Sequence, residues 1–143
     1  MSRIIGLIVT LFLPTGLLAQ EMPRTQAPDN ARVYFITPTD GSSVQSPVTI
    51  RFGLSGMGVA PAGADLDNTG HHHLLINVGD EDLPAMDQSL PATDQIVHFG
   101  GGQTETSVEL KPGEHRLQLL LGDHLHVPHD PPVMSEVITI TVE

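Results

Sequence analysis

The chain contains no cysteine and no tryptophan among its 143 residues. Without cysteine it can form no disulfide, no thiolate metal site, no iron–sulfur cluster and no cysteine nucleophile. Basic residues are also scarce, since 6 Lys and Arg stand against 17 Asp and Glu and the formal net charge is -11. Nucleic acid and anionic lipid are both recognised largely through Lys and Arg, so the composition argues against either as a partner.

Histidine, glycine and proline are the abundant residues. The 8 histidines outnumber lysine and arginine together, and there are 14 glycines and 12 prolines. The length fits a single domain. No stretch shows a convincing helical period, and the many turn residues favour short strands.

The first 19 residues have the composition of a secretory signal peptide. Arg3 gives a positive start, an apolar run covers residues 4–18, and Ala19 precedes the expected cleavage point. The run is short for a bilayer and contains Pro14, which disfavours a spanning helix. We therefore expect a bacterial periplasmic or secreted protein, with no stable membrane insertion after cleavage near Ala19. Residues 20–32 are polar and are expected to form a disordered lead-in.

Residues 33–143 are expected to form one β-sandwich domain. Seven short runs with strand-like alternation are separated by turn residues: 33–37, 48–54, 72–78, 95–99, 104–110, 114–121 and 135–142. This pattern predicts an all-β fold, an immunoglobulin-like seven-stranded antiparallel β-sandwich.

The histidines cluster at one end of this predicted sandwich. Connections alternate between the two ends, so those after the second, fourth and sixth strands share an end. Seven histidines fall there: His71, His72, His73, His98, His124, His126 and His129. Only His115 falls at the opposite end.

Two His-x-His pairs make this end a candidate metal site. Alternate residues of an extended chain face the same side, so His71 and His73 are expected to point together, as are His124 and His126. Neutral imidazole is a common ligand for copper and zinc. The predicted metal ligands are therefore His71, His73, His98, His124, His126 and His129.

The neighbours of these histidines have other predicted roles. His72 faces away from the pair and is expected in the packing, hydrogen-bonded to a backbone carbonyl. Asp123 and Asp130 flank the cluster and are expected to orient ligand rings through their second nitrogen. Thioethers from Met57 and Met134 could reach the same end, although a position in the core is the favoured interpretation for both. Copper is favoured slightly over zinc, because thioether and imidazole suit copper and Cu²⁺ heads the divalent affinity order.

Two segments carry a resemblance to a known family. These are Gly-His-His-His at 70–73 and Gly-Asp-His-Leu-His-Val-Pro-His-Asp-Pro-Pro at 122–132, with further matching stretches at 99–105 and 110–115. Over residues 33–142 the chain resembles the bacterial domain-of-unknown-function 4399 family. The resemblance implies a secreted or periplasmic domain and brings no established activity.

The sequence leaves three functions open. The first is a periplasmic module that binds copper or zinc without catalysis. The second is a non-catalytic interaction module, whose His-rich loops dock a protein or a carbohydrate or form a pH-sensitive face. The third is a metal-dependent enzyme with one open coordination position. No catalytic residue is assigned, so we expect a binding module rather than an enzyme. A metal ion is its expected partner, and another periplasmic protein is a further candidate.

Overall fold

The computed structural model describes residues 22–143, and the predicted signal peptide lies outside the described residues. This part of the chain forms nine strands and a 3-10 turn at Asp80–Asp82. The strands are β1 (Arg32–Thr37), β2 (Ser43–Val44), β3 (Val48–Ser55), β4 (Gly58–Val59), β5 (Thr69–Ile76), β6 (Ile96–His98), β7 (Glu105–Val108), β8 (Gly113–Gly122) and β9 (Ile138–Val142).

The strands form two sheets. The smaller has the order β1-β3-β7, and the larger has the order β2-β9-β8-β5-β4, with β6 also paired to β5. The two-residue strands β2 and β4 pair in parallel, with β9 and β5 respectively, and the remaining pairs are antiparallel. The all-β prediction is confirmed, with nine strands over residues 22–143 instead of seven and with two parallel pairs. The immunoglobulin-like topology stays a prediction.

A hydrophobic core brings side chains of both sheets together. In β3, Val48, Ile50 and Phe52 are buried while Thr49 and Arg51 are exposed, which is the alternation expected of a strand with one buried face. The larger sheet contributes residues of β5, β8 and β9 to the same cluster: Leu74, Ile76, Leu117, Leu119, Leu121, Ile138, Ile140 and Val142. Burial of each such side chain contributes about 1.5–3 kcal/mol.

Strand β5 is buried on both of its faces. Leu74 belongs to the main core, whereas Leu75 belongs to a second cluster together with Leu90, Ile96 and Leu120. Leu83 and Met86, from the connection between β5 and β6, pack against this second cluster. The connection therefore covers the outer face of the larger sheet. His71 and His73 share that outer face with Leu75, since side chains alternate along a strand.

Residues 22–31, which belong to the segment 20–32 that we expected to be a disordered lead-in, run beside the connection between β8 and β9. Ala27 donates its N–H to the carbonyl of Asp130 (2.9 Å), and the N–H of Asp130 donates to the carbonyl of Thr25 (2.9 Å). Met22 donates to the carbonyl of Asp87 (3.1 Å). The domain boundaries themselves stay a prediction. No helix within residues 22–143 is long and apolar enough to cross a membrane.

Candidate metal centre

Four imidazoles converge on the outer face of the larger sheet. Each of His71, His73, His98 and His126 offers one ring nitrogen, and these four atoms all lie within 4.8 Å of one another. The ring centroids are 4.3 Å apart for His98 and His126 and 4.8 Å apart for His71 and His73. We call these four residues the histidine cluster.

Two neighbouring strands position three of the four rings. Strand β5 carries His71 and His73, two residues apart and therefore on one face. Strand β6 carries His98, which lies directly opposite His73 in the antiparallel register. The rings of this cross-strand pair are stacked, with centroids 5.1 Å apart and planes 18° apart. The backbone pairing of β5 with β6 thus fixes the relative positions of the rings of His73 and His98.

The fourth ring, that of His126, is held by a tight turn in the connection between β8 and β9. The carboxylate of Asp123 accepts hydrogen bonds through Oδ1 from the N–H groups of Leu125 (2.8 Å) and Val127 (2.9 Å). The N–H of His126 donates to the carbonyl of Asp123 (2.9 Å), and Leu90 donates to the carbonyl of His126 (2.9 Å). His126 has a φ of 65°, a conformation uncommon for a residue with a side chain. Such a conformation persists only where its surroundings impose it, as they do in this turn.

The cluster contains buried nitrogens that the protein does not satisfy. His71 and His73 are 0 % and 1 % exposed, and His98 and His126 are half-buried. Nε2 of His71 lies 2.9 Å from Nδ1 of His126. Among residues 22–143, Nδ1 of His71, both ring nitrogens of His73 and Nε2 of His98 have no hydrogen-bond partner of normal geometry. Each buried polar atom left without a partner costs about 1–3 kcal/mol, a cost that a ligand bound to these nitrogens would offset.

The environment favours the uncharged form of His71, His73 and His98. Burial lowers the pKa of His73 to about 3, and charge repulsion from His71, His98 and His126 adds to the effect. Burial also lowers the pKa of His71 to about 4, and repulsion from His126 and His98 acts in the same direction, partly offset by Asp123. The pKa of His98 is lowered by burial and by His126. Near neutral pH the buried rings are therefore in the unprotonated form that coordinates metals.

The donor set fits a transition-metal ion. Bonds of roughly 2.0–2.1 Å in a tetrahedron place neighbouring ligand nitrogens about 3.3 Å apart. The four nitrogens, none farther than 4.8 Å from another, are close enough to reach this arrangement after small shifts of the rings. Four imidazole nitrogens suit zinc, copper, iron or nickel rather than magnesium or calcium, which prefer oxygen ligands.

Two glycines make room for the rings, and sequence reasoning assigned them no role. A Cβ at Gly122 would lie 2.7 Å from Cε1 of His73, and a Cβ at Gly100 would lie 2.6 Å from Nε2 of His98. Gly122 is the last residue of β8 and pairs with His71. A glycine within a strand often marks a close approach, and this signal was present in the sequence.

His124 and His129 do not join the cluster. Nδ1 of His124 lies 3.5 Å from Oδ1 of Asp65, and His129 is fully buried with Nε2 donating to the carbonyl of Thr69 (3.1 Å). The expectation that His124 and His126 point together assumed an extended chain. The chain instead turns at Asp123, so the two-residue alternation does not apply there.

The carboxylates of Asp123 and Asp130, which were predicted to orient ligand rings, hydrogen-bond backbone and N-terminal residues rather than a ring of the cluster. Oδ2 of Asp123 accepts a hydrogen bond from the hydroxyl of Thr25 (2.8 Å), while its Oδ1 holds the turn described above. Oδ1 of Asp130 is 3.2 Å from Nη1 of Arg24. Asp123 thus positions His126 through the backbone, and Asp130 attaches the N-terminal segment.

His72 is buried as expected, on the opposite face of β5 from the cluster. Its ring centroid is 4.7 Å from that of Phe52. Burial lowers the pKa of His72 to about 4, which nearby backbone groups of Gly53 and Gln103 partly offset. Neither ring nitrogen has a hydrogen-bond partner of normal geometry among the described residues, in contrast to the expected bond to a carbonyl.

The remaining candidates lie outside the cluster. His115 hydrogen-bonds Asn77 (3.0 Å) and the carbonyl of Lys111 (2.8 Å). Met57 packs against the main core and Met134 against the second cluster, that of Leu75 and Leu120. The thioether argument for copper therefore gains no support from the packing.

Comparison with known proteins gives one match. The family model described as "Domain of unknown function (DUF4399)" matches residues 50–143, a segment that contains all four residues of the histidine cluster. No curated protein and no solved structure matches the chain.

Proposed function

Since the chain belongs to the DUF4399 family, whose description names no activity, we propose a function from the site itself: a metal-binding module. One ion is held by the imidazoles of His71, His73, His98 and His126. Copper is placed ahead of zinc, because Cu²⁺ forms the stronger complexes with nitrogen ligands. Zinc remains the direct competitor, since four neutral imidazoles also suit a tetrahedral ion.

One observation carries this proposal: four imidazoles converge while several of their buried nitrogens lack hydrogen-bond partners within residues 22–143. A docking surface for a protein or carbohydrate would need the histidines at the surface, yet His71 and His73 are 0 % and 1 % exposed. A tetrahedral ion bound by four side chains has no open position for a substrate. The donor set therefore favours binding over catalysis.

The place of action follows from the N-terminal sequence. A chain cleaved after Ala19 would act in the periplasm or outside the cell, where it would meet ions from the environment. The intact mass of the exported protein tests this part of the proposal. A mass that retains residues 1–19 would contradict it.

The metal proposal is tested on tag-free protein, because an affinity tag of histidines would bind the same ions. The exported chain is loaded with Cu²⁺ or Zn²⁺ and desalted, and its metal content is measured together with its thermal unfolding. We expect one ion per chain and a rise in melting temperature. Retention of much less than one ion, with no shift in melting, would contradict the proposal.

Two single substitutions make the test specific. His98→Ala removes a ring of the cluster, whereas His124→Ala removes a ring that lies against Asp65 outside it. We expect at least a tenfold loss of affinity for His98→Ala and less than a twofold change for His124→Ala. Equal losses in the two variants would assign the ion to a different set of histidines.

A further inference from the structure

A groove elsewhere in the molecule is lined by none of the four residues of the histidine cluster. It has a volume of about 700 Å³ and lies between β1, with residues 29–31 and 38–40 around it, and the segment 134–138. Buried apolar side chains from both walls, including Val33 and Ile138, line it. We call it the edge groove.

One wall of the edge groove is an open strand edge. In the order β1-β3-β7, β1 is the terminal strand, and β3 is its only partner within residues 22–143. Within the part of the chain that the structure describes, none of the backbone hydrogen bonds outside the strand ladders involves residues 32–37. A terminal strand presents a row of unpaired N–H and C=O groups, which is a template for an added strand. The pairing with β3 is regular from Arg32 to Phe35, a span of about 13 Å.

The charges of the groove indicate which polypeptide it would accept. Asp29, Asp40 and Glu136 line it, against the single base Arg32. Tyr34 also lines it, and its side chain is 46 % exposed. An exposed aromatic ring beside carboxylates favours Lys and Arg side chains, through charge attraction and through contact of the cation with the ring face.

We propose that the edge groove binds an extended, basic segment of a partner polypeptide, which adds to β1 as a further strand. Main-chain hydrogen bonds along β1 would supply affinity, and the carboxylates would select basic side chains. The proposal is independent of the metal site. Loss of metal binding would leave it unchanged.

The protein carries its own probe for this test, because Tyr34 is its single tyrosine and there is no tryptophan. Tyrosine fluorescence of the full exported chain is followed during titration with acetyl-TKVRVKT-amide and with its acidic counterpart acetyl-TEVDVET-amide. We expect a saturable change in fluorescence with the basic peptide. Binding should weaken in about 0.5 M NaCl, because salt at that concentration strongly screens exposed charges. We expect at least tenfold weaker binding of the acidic peptide. No binding of the basic peptide, or equal binding of both, would overturn the proposal.

Matched variants separate the groove from general charge attraction. Glu136→Lys reverses a charge in the groove, and Glu109→Lys makes the same change at an exposed residue outside it. We expect the first to weaken basic-peptide binding about three- to tenfold and the second less than twofold. Thermal melting of both variants checks that they are folded. Equal effects of the two substitutions would contradict a site in the groove.

Peptides that cannot pair test strand addition itself. Two versions of the basic peptide are made, one N-methylated on the odd-numbered residues and one on the even-numbered residues. In one of the two, the N–H groups that would donate to β1 are blocked. We expect one of the two versions to lose binding, and unchanged binding of both would refute strand addition. Analytical sedimentation of the chain without peptide tests whether a second copy of the chain occupies the groove instead. Self-association that Glu136→Lys abolishes, with no peptide binding, would assign the groove to a second copy and overturn the proposal.

Discussion

Substitution of Gly122 by alanine tests whether the histidine cluster depends on its packing. The added Cβ would lie 2.7 Å from Cε1 of His73, 3.2 Å from Nδ1 of the same ring and 3.3 Å from Cα of His126. Carbon atoms in ordinary contact are about 3.5–4.0 Å apart. The ring of His73 must therefore move by about 0.8 Å or more, and it is 1 % exposed with little space to move into.

Both stability and metal binding should respond to this displacement. Overpacking of a filled site costs about 1–3 kcal/mol. For a chain of this size a loss of about 2 kcal/mol lowers the melting temperature by roughly 5–10 °C. Metal–ligand distances tolerate about 0.2 Å, which is less than the shift of the ring. We expect metal affinity to fall by about 10- to 100-fold, as it does when the support of a ligand is lost.

The matched control is Gly58→Ala. Gly58 also pairs with β5, opposite Thr69, but its Cβ would lie 3.5 Å from Cγ2 of that residue, an ordinary contact. We expect changes within about 0.5 kcal/mol in stability and no change in metal affinity. Thermal melts and competition titrations of both variants decide the matter. Wild-type affinity and melting in Gly122→Ala would refute the reasoning that this glycine makes room for the ring of His73.

Three further outcomes follow from the site and its surroundings. His72→Leu removes two buried nitrogens that have no partner among residues 22–143, so it should raise the free energy of unfolding by about 1–3 kcal/mol in urea titrations. Metal affinity should stay the same, and a fall in affinity would contradict the placement of His72 on the opposite face of β5. Asp123→Ala should weaken metal binding about tenfold. Asp123→Asn should keep most of the affinity, since an amide oxygen can still accept the two N–H bonds that hold the turn of His126. Equal metal binding by both variants would contradict the role of Asp123 in positioning His126. In the metal-free protein, the low pKa values of His71, His72 and His73, about 4, 4 and 3, mean that the unfolded chain takes up protons below pH 6.5 that the folded chain does not. The free energy of unfolding should thus reach its full value above pH 6.5 and fall by about 1 kcal/mol or more per buried histidine as the pH drops toward 4. Urea midpoints that stay unchanged between pH 7.5 and 5 would contradict this pH dependence.

The sequence was sufficient to predict those parts of the structure that follow from alternation along a strand. The run that became β3 alternates apolar and polar residues, and the apolar ones are buried. The same rule placed His71 and His73 together and His72 on the other face, and the structure agrees. Local chain geometry decides these features, so they are visible without a fold.

The rest of the site depends on long-range geometry that the sequence does not encode locally. His98 joins the cluster because β6 pairs beside β5 with His98 opposite His73, a register that periodicity cannot supply. His124 is excluded because hydrogen bonds to Asp123 turn the chain between 123 and 127. The cover over the outer face was also not predicted, since it becomes visible only in the packing of Leu83, Met86 and Leu90 with the second cluster.

X-ray absorption of the loaded, tag-free protein tests the central claim that His71, His73, His98 and His126 share one ion. The account predicts a single ion per chain with four nitrogen ligands at about 2.0 Å, and with the outer scattering that imidazole rings produce. His98→Ala should reduce the imidazole count by one. A coordination shell made mainly of oxygen, or fewer than three imidazoles in the wild-type protein, would contradict the account.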